Sequence, residues 1–137
     1  MHFNITSTPK SQEEDFIIQQ LWLHNSAYAP VDIVPLLITT TKDNNEIIAG
    51  LISRTWWNSL EIQYLWVNKN HRKTGIGTKL MMQAEQEAIN RDCHQAYVDT
   101  FDYQAIDFYK RMGYGEYGHL DGYAHNHSRH YMAKSLI

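Results

Sequence analysis

Three sets of residues in this chain have types and spacing suited to chemistry. The first is Arg72-Lys73-Thr74-Gly75-Ile76-Gly77-Thr78, a basic, glycine-containing stretch that opens an amphipathic segment. A helix starting there exposes unpaired N–H groups and a partial positive charge, which suit an anion. Gly75 and Gly77 let backbone approach phosphate oxygens without a Cβ in the way, and Arg72 and Lys73 add charge-assisted donors. The stretch lacks the full GxGxxG of a dinucleotide fold and the GK[ST] of a P-loop. The second is Tyr109, whose phenol, with a reference pKa near ~10, is a proton donor at neutral pH. Its alternative role is packing, on a stripe with Ala105, Phe108 and Met112. The third is Glu61, a carboxylate that by period-two alternation shares a strand face with Gln63, Leu65 and Val67. It is a candidate general base or else an exposed strand glutamate.

The elements that must position these groups are readable from periodicity. Residues 2–8 alternate Phe3 and Ile5 with Asn4 and Thr6, predicting a strand that Pro9 ends. Ser11-Gln12-Glu13-Glu14 has the form of a capping box before a helix that finishes ahead of Pro30. Residues 34–41 and 46–56 form a hairpin about Asp43-Asn44-Asn45, and Trp56-Trp57-Asn58-Ser59 turns into a third strand at Leu60–Val67. Gly75–Arg91 is helical, His94–Thr100 a strand, and Ala105–Met112 a helix with Gly113 at its C-cap. Tyr114–Leu120 and Arg129–Lys134 close the chain as strands. The predicted order is β-α-β-β-β-α-β-α-β-β: an antiparallel meander, then strand–helix–strand, in a mixed sheet with helices on both faces.

Bulk properties bound the function. The 137 residues suit one domain spanning 1–137, and 43% apolar and 20% charged residues exclude disorder. A net charge of −3 without charge runs gives no support to nucleic-acid binding. Cys93 is the lone cysteine, so there is no disulfide framework and no thiolate metal site. His127-x-x-His130 has no partner spaced to complete a metal site, and no metal is expected. With no signal, lipidation motif or membrane span in view, a soluble cytoplasmic protein is the default. Nine Tyr, four Trp and four Phe point to aromatic walls around a cleft. The Trp56-Trp57 tip serves either such a cleft or a hydrophobic contact, as in a homodimer.

Leu65-Trp66-Val67 followed by Arg72-x-x-Gly75-x-Gly77 resembles the acyl-CoA signature of the GNAT N-acyltransferases, [QR]-x-x-G-x-[GA]. Ala105-x-x-Phe108-Tyr109-x-x-x-Gly113-Tyr114 resembles that family's second signature, with a strand between the two, as the family requires. The resemblance implies an α+β GNAT fold in which the family's fourth and fifth strands splay to admit acyl-CoA. It implies that backbone near Leu65, Trp66 and Val67 bonds the pantetheine and that N–H groups of Lys73–Thr78 hold the pyrophosphate. Tyr109 matches the tyrosine that protonates the leaving thiolate, and Glu61 matches the strand-borne glutamate of those members that have one. The implied activity is acetyl transfer from acetyl-CoA to a primary amine in a ternary complex; the aromatic and acidic residues outside the cofactor motif favour a small-molecule amine over a protein acceptor, and no membrane partner is expected. The alternative is a non-catalytic CoA-binding module. One departure stands out: where many members carry a cofactor-contacting asparagine, this chain has Asp102, with Gln104 the nearest amide.

Overall fold

A computed structural model describes all 137 residues, which divide into two compact units, Met1–Val31 and Asp32–Ile137. In the first, α1 spans Ser11–Asn25. The strand expected at 2–8 does not form. The Thr6 hydroxyl accepts from the Thr8 N–H at 3.0 Å and bends the chain there. That local bond competes with a ladder, and alternation without a hydrogen-bonded edge makes no strand. The capping box is also absent. Lys10 is the N-cap, Ser11 already lies inside the helix, and the Lys10 carbonyl takes the N–H groups of Glu13 and Glu14 at 3.1 and 3.2 Å. The helix stops where the Ser26 hydroxyl donates to the Leu23 carbonyl at 2.8 Å.

The second unit is a six-stranded mixed sheet with two helices. Its strands are β1 Val34–Thr41, β2 Ile47–Trp56, β3 Ser59–Val67, β4 Gln95–Phe101, β5 Gly115–Tyr123 and β6 His127–Ser135, in the order β1-β2-β3-β4-β6-β5. Helix α2 is Ile76–Asn90 and α3 is Ile106–Arg111. The β-branched runs became β1 and β2, and Trp57 and Asn58 turn into β3 with φ of 45° and 62°. The β4–β6 and β5–β6 pairs are antiparallel, and β3–β4 is parallel.

One core holds this unit together. Leu51, Leu60, Met81 and Met132 are fully buried, with Leu80, Ala84 and Ala88 of α2 and Tyr109 of α3 in the same cluster. Both helices therefore pack on one face of the sheet. The Glu85 carboxylate on α2, largely buried, accepts from the Tyr114 hydroxyl and the Lys134 ammonium, each at 2.8 Å, and so ties α2 to the end of α3 and to β6.

Candidate active site

The site begins where β3 and β4 part. Their parallel pairing runs from Ser59–Gln95 to Ile62–Val98 and ends there, although both strands continue. The β2–β3 register shifts at the same level, so Gln63 is an extra residue in β3. Before this bulge Leu60 and Ile62 face the core; after it Leu65 and Val67 do. Unbroken alternation from Glu61 to Val67 is thereby corrected. Glu61 shares its sheet face with Tyr64 and Trp66, opposite Leu65 and Val67. An inserted residue resets the period, and only the partner strand reveals it.

The fork opens a cleft of about 1440 Å³ between β3, the 71–78 turn, the end of β4 and α3. Leu65, Trp66 and Val67 form one wall, and Arg72, Lys73, Gly75, Ile76, Gly77 and Thr78 one end. The first bond of α2 runs from the Lys79 N–H to the Gly75 carbonyl at 3.1 Å. The N–H groups of Ile76, Gly77 and Thr78 thus have no intrahelical partner. Arg72 is fixed by an Nε–H bond to the Val67 carbonyl at 3.2 Å, and the Thr74 hydroxyl, outside the cleft wall, donates to the His71 carbonyl at 2.5 Å. His71 lines the cleft with a buried Nδ1 that has no partner. Free N–H groups, two basic side chains and an orphaned ring nitrogen around one end of a cleft fit a phosphate-bearing ligand.

The two glycines differ. Gly75 has φ +85°, where L side chains are strained, and a Cβ there would meet nothing within 4 Å. At Gly77 a Cβ would face the Phe108 ring at 3.6 Å and Val67 Cγ2 at 3.9 Å. Those distances are ordinary van der Waals contact, so alanine fits at 77 and only a larger side chain would press on α3 and β3, while at Gly75 the approach is open.

Tyr109 of α3 lines the same cleft as this turn while only 5% exposed. Burial first, and the Asp99 charge second, push its phenol up to about 12. The phenol stays protonated throughout the neutral range. Its ring meets Phe108 and Tyr114 edge-on, and its carbonyl accepts the Tyr114 N–H at 3.0 Å, so the Glu85–Tyr114–Lys134 network braces it.

Glu61 is not part of the cleft wall. It accepts from Arg54 Nε at 2.8 Å on the sheet face away from the helices, beside Tyr97, whose hydroxyl accepts from Trp56 Nε1 at 3.0 Å. Burial is the main reason the Tyr97 phenol's pKa is raised, with Glu61 adding to it. Trp56 and Trp57 stack on each other outside the cleft. Asp102 does line the cleft, and its carboxylate meets His127 Nδ1 at 3.1 Å. Gln104 caps the turn after β4, its Oε1 accepting from the Phe101 N–H at 2.9 Å. His130 lies between Glu116 and the Ser128 hydroxyl.

Sequence reasoning gave no site role to Asp99 or Glu85, whereas His71 belongs to the short basic cluster His71-Arg72-Lys73 that suits a few phosphates. Asp99 and His71 line the cleft, and Asp99 is bonded by Arg129. No motif assigns a role to Asp99 or Glu85; only strand register and the helix stripe place them.

A forked parallel strand pair, a glycine turn opening a helix and a buried tyrosine lining the same cleft define an acyltransferase-type site. A sequence model of the Acetyltransferase (GNAT) family matches residues 3–114, and the chain belongs to that family. It is 34% identical over 121 residues to an acetyltransferase of Agrobacterium fabrum, covering 88% of each chain. It is also 32% identical over 95 residues to the blasticidin-S acetyltransferase of Streptomyces morookaense, covering 69% of this chain and 70% of that one. A crystal structure of an acetyltransferase from Agrobacterium tumefaciens superimposes with a TM-score of 0.92 at 32% identity, covering 98% of this chain and 99% of that one. The resemblance in the motifs and the α+β fold it implied are thereby shown.

Proposed function

We propose that the chain transfers an acetyl group from acetyl-CoA to a primary amine in a ternary complex. The observation that carries this reading is that the phosphate-suited turn and Tyr109 line one cleft, at a fork that leaves one edge of β3 unpaired. Backbone groups of Leu65–Val67 on that free edge bond the pantetheine amides in place of β4, and one N–H there polarises the thioester carbonyl. The N–H groups at 76–78, with Arg72 and Lys73, hold the pyrophosphate. The amine attacks the carbonyl carbon, the C–S bond breaks, and Tyr109 protonates the departing thiolate. Glu61, tied to Arg54 outside the cleft, serves as base only through intervening water. The acceptor is a small amine, in keeping with the relative that is named for acetylating blasticidin S.

The test is turnover against a panel of primary amines with acetyl-CoA, following free thiol and N-acetylated product together. Equal amounts of both are expected with at least one amine. Acetyl-CoA that binds but is never discharged by any amine would favour the CoA-binding module instead.

A further inference from the structure

Asp99 is the first residue of β4 beyond the last β3–β4 pair, so it stands at the crotch of the fork. Along β4, Ala96, Val98 and Thr100 are buried, while Tyr97, Asp99 and Phe101 alternate with them on the face opposite α2 and α3. The pyrophosphate turn lies at the N-terminus of α2, on the helix side. A second substrate that must reach the same thioester in a ternary complex has the opposite face left to it. Asp99 is a cleft-lining carboxylate at that level of the fork, near enough for its charge to act on Tyr109. Glu61, on the paired part of β3 beside Tyr97, is outside the cleft.

The surroundings of Asp99 are built. Arg129 on β6 bonds its Oδ2, leaving Oδ1 for another donor. The guanidinium lies 5.3 Å from the Tyr131 ring centroid and 3.4 Å from the Tyr123 hydroxyl, which fixes the carboxylate's orientation. Tyr103, on the cleft wall, stacks on Phe101 at 5.7 Å, and Phe101 meets Tyr123 edge-on at 5.1 Å, so an aromatic cluster borders the cleft through Tyr103. A rigid carboxylate beside aromatic faces suits an ammonium group.

We propose that Asp99 is the residue that receives the acceptor, binding a primary alkylammonium through its free oxygen at the fork. This rests on the acetyl-transfer reading above and names the chemical class of its acceptor. Asp99 makes and breaks no bond. The bound ammonium loses one proton to water, its lone pair attacks the thioester carbonyl, and C–N forms as C–S breaks. Tyr109 gives its proton to the thiolate, the second nitrogen proton restores the phenol, and one proton in all reaches solvent.

The experiment compares alkyl primary amines, charged at neutral pH, with arylamines, neutral there, on wild type, Asp99→Asn and Asp99→Glu. Acetyl-CoA affinity and melting temperature are measured in parallel without any amine. Asp99→Asn should raise KM for alkylamines about 10- to 100-fold, leave arylamine KM within about threefold, and leave acetyl-CoA affinity intact. Asp99→Glu, which keeps the charge, should retain much of the preference for alkylamines. Equal losses for both amine classes, no loss for alkylamines, or a Glu variant as impaired as the Asn variant would overturn the assignment. A wild-type enzyme that binds acetyl-CoA yet acetylates neither class would overturn the parent reading, and the wild-type control separates that failure from this one.

Discussion

At the scale of single residues, function and packing make different demands on Tyr109, Gly75 and Gly77. Tyr109→Phe keeps the buried ring and removes the hydroxyl. The single-turnover rate with saturating acetyl-CoA should fall about 10²-fold while acetyl-CoA affinity holds. A variant retaining the wild-type rate would end the general-acid assignment. Because burial pushes the phenol up to about 12, it supplies no basic limb to the wild-type rate profile across the ordinary alkaline assay range. Gly75→Ala adds a Cβ into open cleft at φ +85°, so it should cost about 1 kcal/mol of stability and also weaken acetyl-CoA binding. Gly77→Val pushes branched methyls at Phe108 and Val67, so urea unfolding should show a loss of about 1–3 kcal/mol. A fully stable Gly77→Val variant would refute that packing role. The motif residues were legible from the sequence because helix starts, glycines and a tyrosine at fixed spacing are local features. Asp99 and Glu85 were not, because their significance depends on Arg129 and Lys134, which other strands bring to them.

At the scale of elements, the strands and helices of 34–135 follow from local signals. β-Branched runs end at Asp43-Asn44-Asn45 and Trp57-Asn58, and Gly113, at φ +97°, stands just past α3. Two features escaped the sequence. Residues 2–8 alternate like a strand, but strands need an edge, and Thr6 bends the chain first. The extra residue at Gln63 is defined by β2 and not by β3 itself, so the side from which Glu61 projects was misread. Tyr114→Phe removes the hydroxyl bond to the nearly buried Glu85, which keeps Lys134 as a partner. Stability in urea should drop by about 1–2 kcal/mol with acetyl-CoA affinity unchanged within about twofold. An unchanged midpoint would show that the bond contributes nothing net.

At the scale of the molecule, two buried phenols set an alkaline limit. Tyr109 and Tyr114 both have pKa values raised in the folded state, burial being the main cause, with Asp99 and Glu85 adding to it. The folded chain therefore holds protons that the unfolded chain releases near pH 10. Their effect is nil below that value, and stability falls as pH rises above 10.0, Tyr109's share being complete at about 12 while Tyr114's continues beyond it. The pH dependence of the urea midpoint should flatten in Tyr109→Phe, and an unaltered slope would contradict the burial argument. The central claim, that the forked cleft binds acetyl-CoA with its pyrophosphate on the 72–78 turn, is tested most directly by calorimetry of acetyl-CoA against acetyl-pantetheine, which has the same thioester arm without phosphates. The account predicts at least about 10²-fold tighter binding of acetyl-CoA, since the free N–H groups of α2, Arg72 and Lys73 act only on phosphate. Equal affinity for the two would contradict it.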